Sequence, residues 1–166
     1  LNHPENPDVI AVQEMWTDKA KKYFSQIITE KYPYRYIDKI KARRLGRLLF
    51  DSGSGLAIYS KHPIKHRYSE SYLEFRGHER FVRKGFIAIH IEVESRPVII
   101  LNTHLQAGTG GRFMRWIDRH MPTTREIAAT QLEQIQDFLK NIRNEYPDVP
   151  VFMLGDFNIR AKTDEY

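Results

Sequence analysis

Toward the end of the chain the apolar run Val149-Pro150-Val151-Phe152-Met153-Leu154 stops at Gly155-Asp156-Phe157-Asn158. A short run of this kind, bounded by turn residues, reads as a buried β-strand. Two more apolar strands end in the same way. Asp8-Val9-Ile10-Ala11-Val12 runs into Gln13-Glu14, and Val98-Ile99-Ile100-Leu101-Asn102 runs into Thr103-His104. A chain that repeatedly closes a strand with acids, amides and a histidine is restricted to sheet-based folds, where the sheet fixes the backbone and the strand ends carry the chemistry.

The remaining segments fill in an α/β pattern. Gly55–Ser60 reads as a strand stopped by Lys61-His62-Pro63, and Gly85–Val93 reads as the hairpin partner of Val98–Asn102, with Arg96 and Pro97 in the turn. Thr17 or Asp18 caps a helix with Tyr23, Phe24, Ile27 and Ile28 at helical spacing, ended by Pro33. Thr123 and Glu126 form a capping box ahead of a helix whose apolar face is Ile127, Ala128, Leu132, Ile135, Leu139 and Ile142. Between them, residues 103–121 read as an irregular, glycine-rich loop carrying Phe113 and Trp116. No repeat or linker divides the 166 residues, so a single domain over 1–166 is expected.

Composition removes several classes of function. There is no cysteine, which excludes disulfides, thiolate metal sites and cysteine nucleophiles. No apolar run approaches the roughly 20 residues needed to span a bilayer, and residues 1–7 do not form a secretion signal. Cytoplasmic and secreted locations both stay open. The net charge of +5 is gathered in three groups, around residues 39–47, 76–84 and 112–119. Such groups suit an anionic partner (nucleic acid, an anionic lipid surface or a phosphorylated substrate), or simply a solvated face.

The three strand-end clusters together supply oxygen ligands for a hard divalent ion, a histidine, and an acid able to orient water. Phosphoester hydrolysis uses these parts: a metal on one or two carboxylates, a positioned water and donors for the developing charge. In an extended Asp156-Phe157-Asn158 the first and third side chains share a face while Phe157 turns inward. Each cluster also has a plainer alternative: a surface pair at Gln13-Glu14, a turn with a satisfied histidine at 102–104, and an Asx-turn at Asp156–Asn158.

The order of four motifs resembles the endonuclease/exonuclease/phosphatase superfamily across essentially the whole chain. They are residues 7–14, 54–64, Asn102-Thr103-His104-Leu105 and Gly155-Asp156-Phe157-Asn158. The resemblance implies a DNase I-like four-layer fold, a two-sheet β-sandwich flanked by helices, and cleavage of phosphoesters with Mg²⁺. It implies that Glu14 binds the metal, His104 contacts the scissile phosphate, Asp156 orients or activates the water, and Asn158 holds a phosphate oxygen. Asn102 occupies a substrate-side position before Thr-His.

Within that superfamily, Thr103–Ala107, Gln131–Asn141 and Arg83-Lys84-Gly85-Phe86 are most similar to the neutral, Mg²⁺-dependent sphingomyelinases, with Glu79 placed to pair with Lys84. This branch implies hydrolysis of sphingomyelin at a membrane surface by a protein that is monomeric when complete. Phe113, Trp116, Arg112 and Arg115 would then touch the membrane, the plainer alternative being that Phe113 and Trp116 close the core under a long loop. The open alternatives are an abasic-site or DNase-like endonuclease acting on nucleic acid, and an inositol polyphosphate phosphatase, toward which Arg160 points. An inactive membrane- or partner-binding homologue is the alternative of another class. The family pattern also includes an Asn-bearing strand ahead of residue 8, and a later Asp and a closing Asp-His pair beyond residue 166. The domain is therefore expected to be incomplete at both ends, with the general base outside it and two sheet edges lacking partners.

Overall fold

The computed structural model describes residues 6–38, 53–75, 84–107 and 122–159. In chain order the elements are β1 (Val9–Val12), α1 (Asp18–Ile28), β2 (Tyr34–Ile37), β3 (Ala57–Ser60), β4 (Ile64–Ser71), β5 (Gly85–Val93), β6 (Arg96–His104), α2 (Thr124–Glu145) and β7 (Val151–Asp156). They make a three-stranded sheet in the order β1-β3-β2 and a four-stranded sheet in the order β4-β5-β6-β7. Every pair is antiparallel except β6 with β7. A parallel neighbour needs a long crossover, and α2 supplies it.

Side-chain alternation along β5 sets the layers. Ile87, Ile89 and Ile91 pack against Leu56 and Ile58 of the first sheet, while Phe86 and Ala88 pack with Ile135 and Ile142 of α2. Burial on both faces is why β5 begins as an unbroken apolar run. A third cluster sets Ala57 and Tyr59 against Ile28, Met15 and Tyr32, on the side of α1. The layers therefore run helix, sheet, sheet, helix, the sandwich expected from the sequence. The capping box is formed: Thr123 Oγ1 accepts from the Glu126 N–H, and the Thr123 N–H donates to Glu126 Oε2.

Several local readings change. The β5–β6 turn is Glu94-Ser95, both at positive φ (49° and 65°), and Arg96 and Pro97 already belong to β6, opposite Val93 and Glu92. A two-residue hairpin favours this left-handed pair because its twist matches the strands. Pro97 is tolerated because successive N–H groups point to opposite sides, and its missing one would face β7, whose pairing starts only at Ile99. Helix α1 stops at Ile28, well before Pro33, and Tyr23 and Ile27 are exposed while Ile28 and Ser25 are buried. Strand β3 starts at Ala57 rather than Gly55. Strands β2 and β4 have no apolar run because they lie at sheet edges with about half their residues in water.

The two strands expected to be buried at the chain's outer parts are not. β1 is an edge strand of intermediate exposure, and β7 exposes Phe152 (55%), Met153 (40%) and Leu154 (38%). Thr103 and His104, expected in a loop, complete β6. The basic groups except Lys84, together with Glu79, Arg112, Phe113, Arg115, Trp116 and Arg160, lie outside the described residues.

Candidate active site

The parallel pairing of β6 and β7 builds one wall of the site. It sets Asn102 opposite Leu154, Thr103 opposite Gly155 and His104 opposite Asp156. Gly155 makes this possible. Its φ is +148°, and a Cβ there would lie 2.1 Å from the Thr103 carbonyl oxygen. Any larger residue would force the strands apart just where the acid is delivered.

At the strand ends two side chains and one backbone bond converge on Leu105. The Leu105 N–H donates to the Asp156 carbonyl at 2.9 Å. Asn158 Nδ2 donates to the Leu105 carbonyl at 2.9 Å, and Lys84 Nζ donates to the same oxygen at 2.8 Å. His104 is buried, with its Nε2 3.1 Å from Lys84 Nζ and 3.8 Å from Asp156 Oδ2. An ammonium has only donors, so toward Lys84 the His104 Nε2 is the acceptor.

Asp156 and Asn158 do meet, but not through an extended backbone. Asn158 has φ +53°, and its N–H donates to Asp156 Oδ1 at 2.9 Å. This is the Asx-turn that the sequence offered as the plainer alternative, and it serves the site by bending Asn158 back to Leu105. Phe157 turns inward against the α2-side core, as expected.

The β1 end forms the opposite wall. Gln13 Nε2 donates to Asn102 Oδ1 at 2.6 Å, and the Trp16 ring lies 6.4 Å from the His104 ring. The Met15 N–H donates to the Gly55 carbonyl, and a Cβ on Gly55 (φ +71°) would strike Trp16 at 2.9 Å. Glu14, at φ +60°, is exposed, and among the described residues its carboxylate has no partner. Asn102, expected on the substrate side, is fully buried and its amide is engaged within the protein. His104, Asp156 and Asn158, with Lys84, thus gather around Leu105 at the ends of β6 and β7, while the Asn102 side chain is turned to β1 and β3. Glu14 reaches the same end of the sandwich through its neighbours Gln13 and Trp16.

Sequence reasoning overlooked two supports. Gln131 on α2 accepts from the Gln106 N–H at 2.9 Å and donates to the Glu74 carbonyl at 3.0 Å, clamping the segment after His104. Its signal was a glutamine on an apolar stripe, four residues from both Ile127 and Ile135. Tyr72 hydrogen-bonds Thr103, whose Oγ1 donates to the Gly85 carbonyl at 3.1 Å, and burial pushes the Tyr72 phenol above its usual range. No sequence pattern marked that pair.

The oxygen donors suit a hard cation. Glu14 offers a free carboxylate, and Asp156, half exposed, keeps Oδ2 clear of the Asx-turn. Among the described residues no three acids or histidines stand together as a closed cage.

A two-sheet sandwich with these groups at its strand ends matches the fold expected from the resemblance, and the sequence comparisons agree. The profile of the Endonuclease/Exonuclease/phosphatase family matches residues 2–166, and the chain belongs to that family. It is 28% identical over 171 residues to a phospholipase C of Staphylococcus aureus, covering 98% of this chain and 49% of that protein. It is 27% identical over 174 residues to sphingomyelinase C of Listeria ivanovii, covering 99% of this chain and 49% of that one. The chain thus spans about half the length of these relatives. Its fold also matches the crystal structure of a Staphylococcus aureus beta toxin variant with bound magnesium ions, with a TM-score of 0.77 at 24% identity over 97% of this chain and 55% of that one.

Proposed function

We propose that the protein containing this chain is a Mg²⁺-dependent phosphodiesterase that hydrolyses sphingomyelin to ceramide and phosphocholine. The observation that carries this reading is the in-register pairing of His104 with Asp156 across β6 and β7, with Lys84 and Asn158 closing on the same carbonyl. The similarity to a sphingomyelinase C and a phospholipase C supports the choice of substrate.

In this reading water adds to phosphorus as the bond from phosphorus to the ceramide oxygen breaks, and that oxygen departs with a proton. Asp156 orients the water. His104 and Asn158 hold the phosphate oxygens, with the Lys84 ammonium behind His104 favouring the charge that develops. Glu14 holds the metal, and Mg²⁺ when bound would neutralise the phosphate oxygens. This reading has the lipid reached by peripheral contact; no helix among the described residues is long and apolar enough to cross a membrane.

We further read residues 1–166 as one part of a longer, monomeric domain that carries the general base elsewhere. The exposed apolar residues of β7 and the half-length match to the relatives support this. The test is an assay of the full-length protein, side by side, on sphingomyelin vesicles, an abasic-site duplex and inositol polyphosphates, each with and without chelator. Chelator-sensitive hydrolysis confined to sphingomyelin is expected. Preference for either other substrate would replace the substrate while sparing the family.

A further inference from the structure

Asn102 is a firmly anchored polar side chain at the site. It is completely buried on β6, yet all three of its hydrogen bonds leave its own sheet. Its Nδ2 donates to the Val12 carbonyl of β1 and to the Ala57 carbonyl of β3, both at 3.0 Å. Its Oδ1 accepts from Gln13 Nε2 at 2.6 Å. Two donors and one acceptor are therefore spent on residues that immediately precede, or pair with the residues that precede, Glu14. Both N–H groups are used and the side chain has no exposed surface, so no donor is left for a substrate phosphate.

What those bonds hold is an uncommon backbone. Glu14 sits at φ +60°, a conformation that an unbranched acid adopts at some cost and keeps only when its surroundings impose it. From below, Asn102 fixes the last carbonyl of β1 and the side chain of Gln13. From beyond, the Met15 N–H is held by the Gly55 carbonyl at 2.8 Å, and Trp16 is seated on Gly55. Glu14 is the single residue between these clamps, and its carboxylate is the part that stays in water.

We infer that Asn102 is a positioning residue for the metal: it bridges the two sheets and clamps Val12 and Gln13 so that the Glu14 carboxylate is presented in one orientation, and it does not itself touch substrate. This rests on the proposed role of Glu14. Outer groups that orient a metal ligand typically alter metal affinity by 10- to 100-fold when removed.

The experiment uses the full-length protein and reads Mg²⁺ binding by calorimetry and Mn²⁺ binding by electron paramagnetic resonance, alongside KM for sphingomyelin at saturating Mg²⁺. Three variants are compared: Glu14→Gln, Asn102→Ser and Gln13→Leu. Gln13→Leu removes only the Gln13–Asn102 bond and guards against misfolding of the Asn102 variant. Both Asn102→Ser and Gln13→Leu are expected to raise the metal dissociation constant about tenfold, and saturating Mg²⁺ is expected to restore kcat with KM unchanged. If Glu14→Gln weakens metal binding but Gln13→Leu and Asn102→Ser do not, the inference is overturned and the role of Glu14 survives. A raised KM at saturating metal, with metal affinity intact, would return Asn102 to the substrate. If Glu14→Gln leaves metal affinity unchanged, the reading of Glu14 fails first and takes the inference with it.

Discussion

Strands β6 and β7 run side by side and in the same direction, and each contributes half of one constellation, but they are held in opposite ways. β6 is covered on both faces from Ile99 onward, and Asn102, Thr103 and His104 are each tied to another element. Among the described residues β7 has one paired strand, an open outer edge and apolar side chains in water on both faces. Its Asp156 is about half exposed, against a few per cent for His104. The histidine side of the site is organised by packing within this chain. The aspartate side is organised by backbone pairing to β6 and by the Asx-turn.

Four measurements can break or sharpen that contrast. The largest effect is expected under β6 and its partner: Phe86→Ala, fully buried between β5 and α2, should cost about 3–5 kcal/mol in denaturant unfolding. A cost under about 1 kcal/mol would mean that this face is not the core described. Next, Asp156→Asn keeps the shape of the Asx-turn but removes the charge, and should lower kcat of the full-length protein about 100-fold, roughly 2.7 kcal/mol of barrier. A loss smaller than about tenfold would remove Asp156 from the reaction.

Phe152→Ser measures the cover over β7 directly. In the 166-residue chain the change should be within about 0.5 kcal/mol, as for other exposed positions. In the full-length protein it should cost about 2 kcal/mol or more, because a covered phenylalanine is then lost. Equal, small effects in both would show that β7 remains uncovered.

The smallest effect is a slope rather than a step. His90 lies on β5 at the opposite end from the site, paired with His66 and meeting the Tyr146 ring edge-on at 4.9 Å. Burial lowers its pKa from the ordinary 6.5; His66 and Lys65 push the same way, while Glu92 and Glu145 oppose. A histidine depressed in the folded state binds fewer protons there than when unfolded. Its contribution is therefore complete above pH 6.5 and is lost as pH falls below that value. Urea melts between pH 5 and 7 should show this loss in the parent protein, reduced in His90→Gln.

The same contrast explains what could be read from sequence. The β5–β6 hairpin, the α2 capping box and the three strand-end clusters were legible because full burial leaves a periodic apolar signal and because turn and cap residues are local. Strands β2 and β4 were not, since edge strands alternate with water and carry no such run. Pro97 marks a turn by residue type, but the chain turns just before Arg96, at the left-handed Glu94-Ser95 pair, whose residue types carry no strong turn mark. The apolar composition of β7 points to burial, but composition does not encode which neighbours a strand has, and Phe152, Met153 and Leu154 are exposed. Of the site, the residue types were visible. The Gln131 clamp, the Tyr72–Thr103 bond and the way Asn102 spends its amide depend on contacts across 25 to 90 positions of chain, which no local pattern encodes.

The Glu94-Ser95 turn makes the far tip of the molecule a handle. Both residues are exposed, and eight steps of strand at about 3.3 Å each place them roughly 26 Å from the end of β5 and β6 that carries Lys84 and His104. A dye, a biotin or a short tether attached there would report on docking to a vesicle or fix the protein to a surface while leaving Lys84, His104 and their neighbours undisturbed.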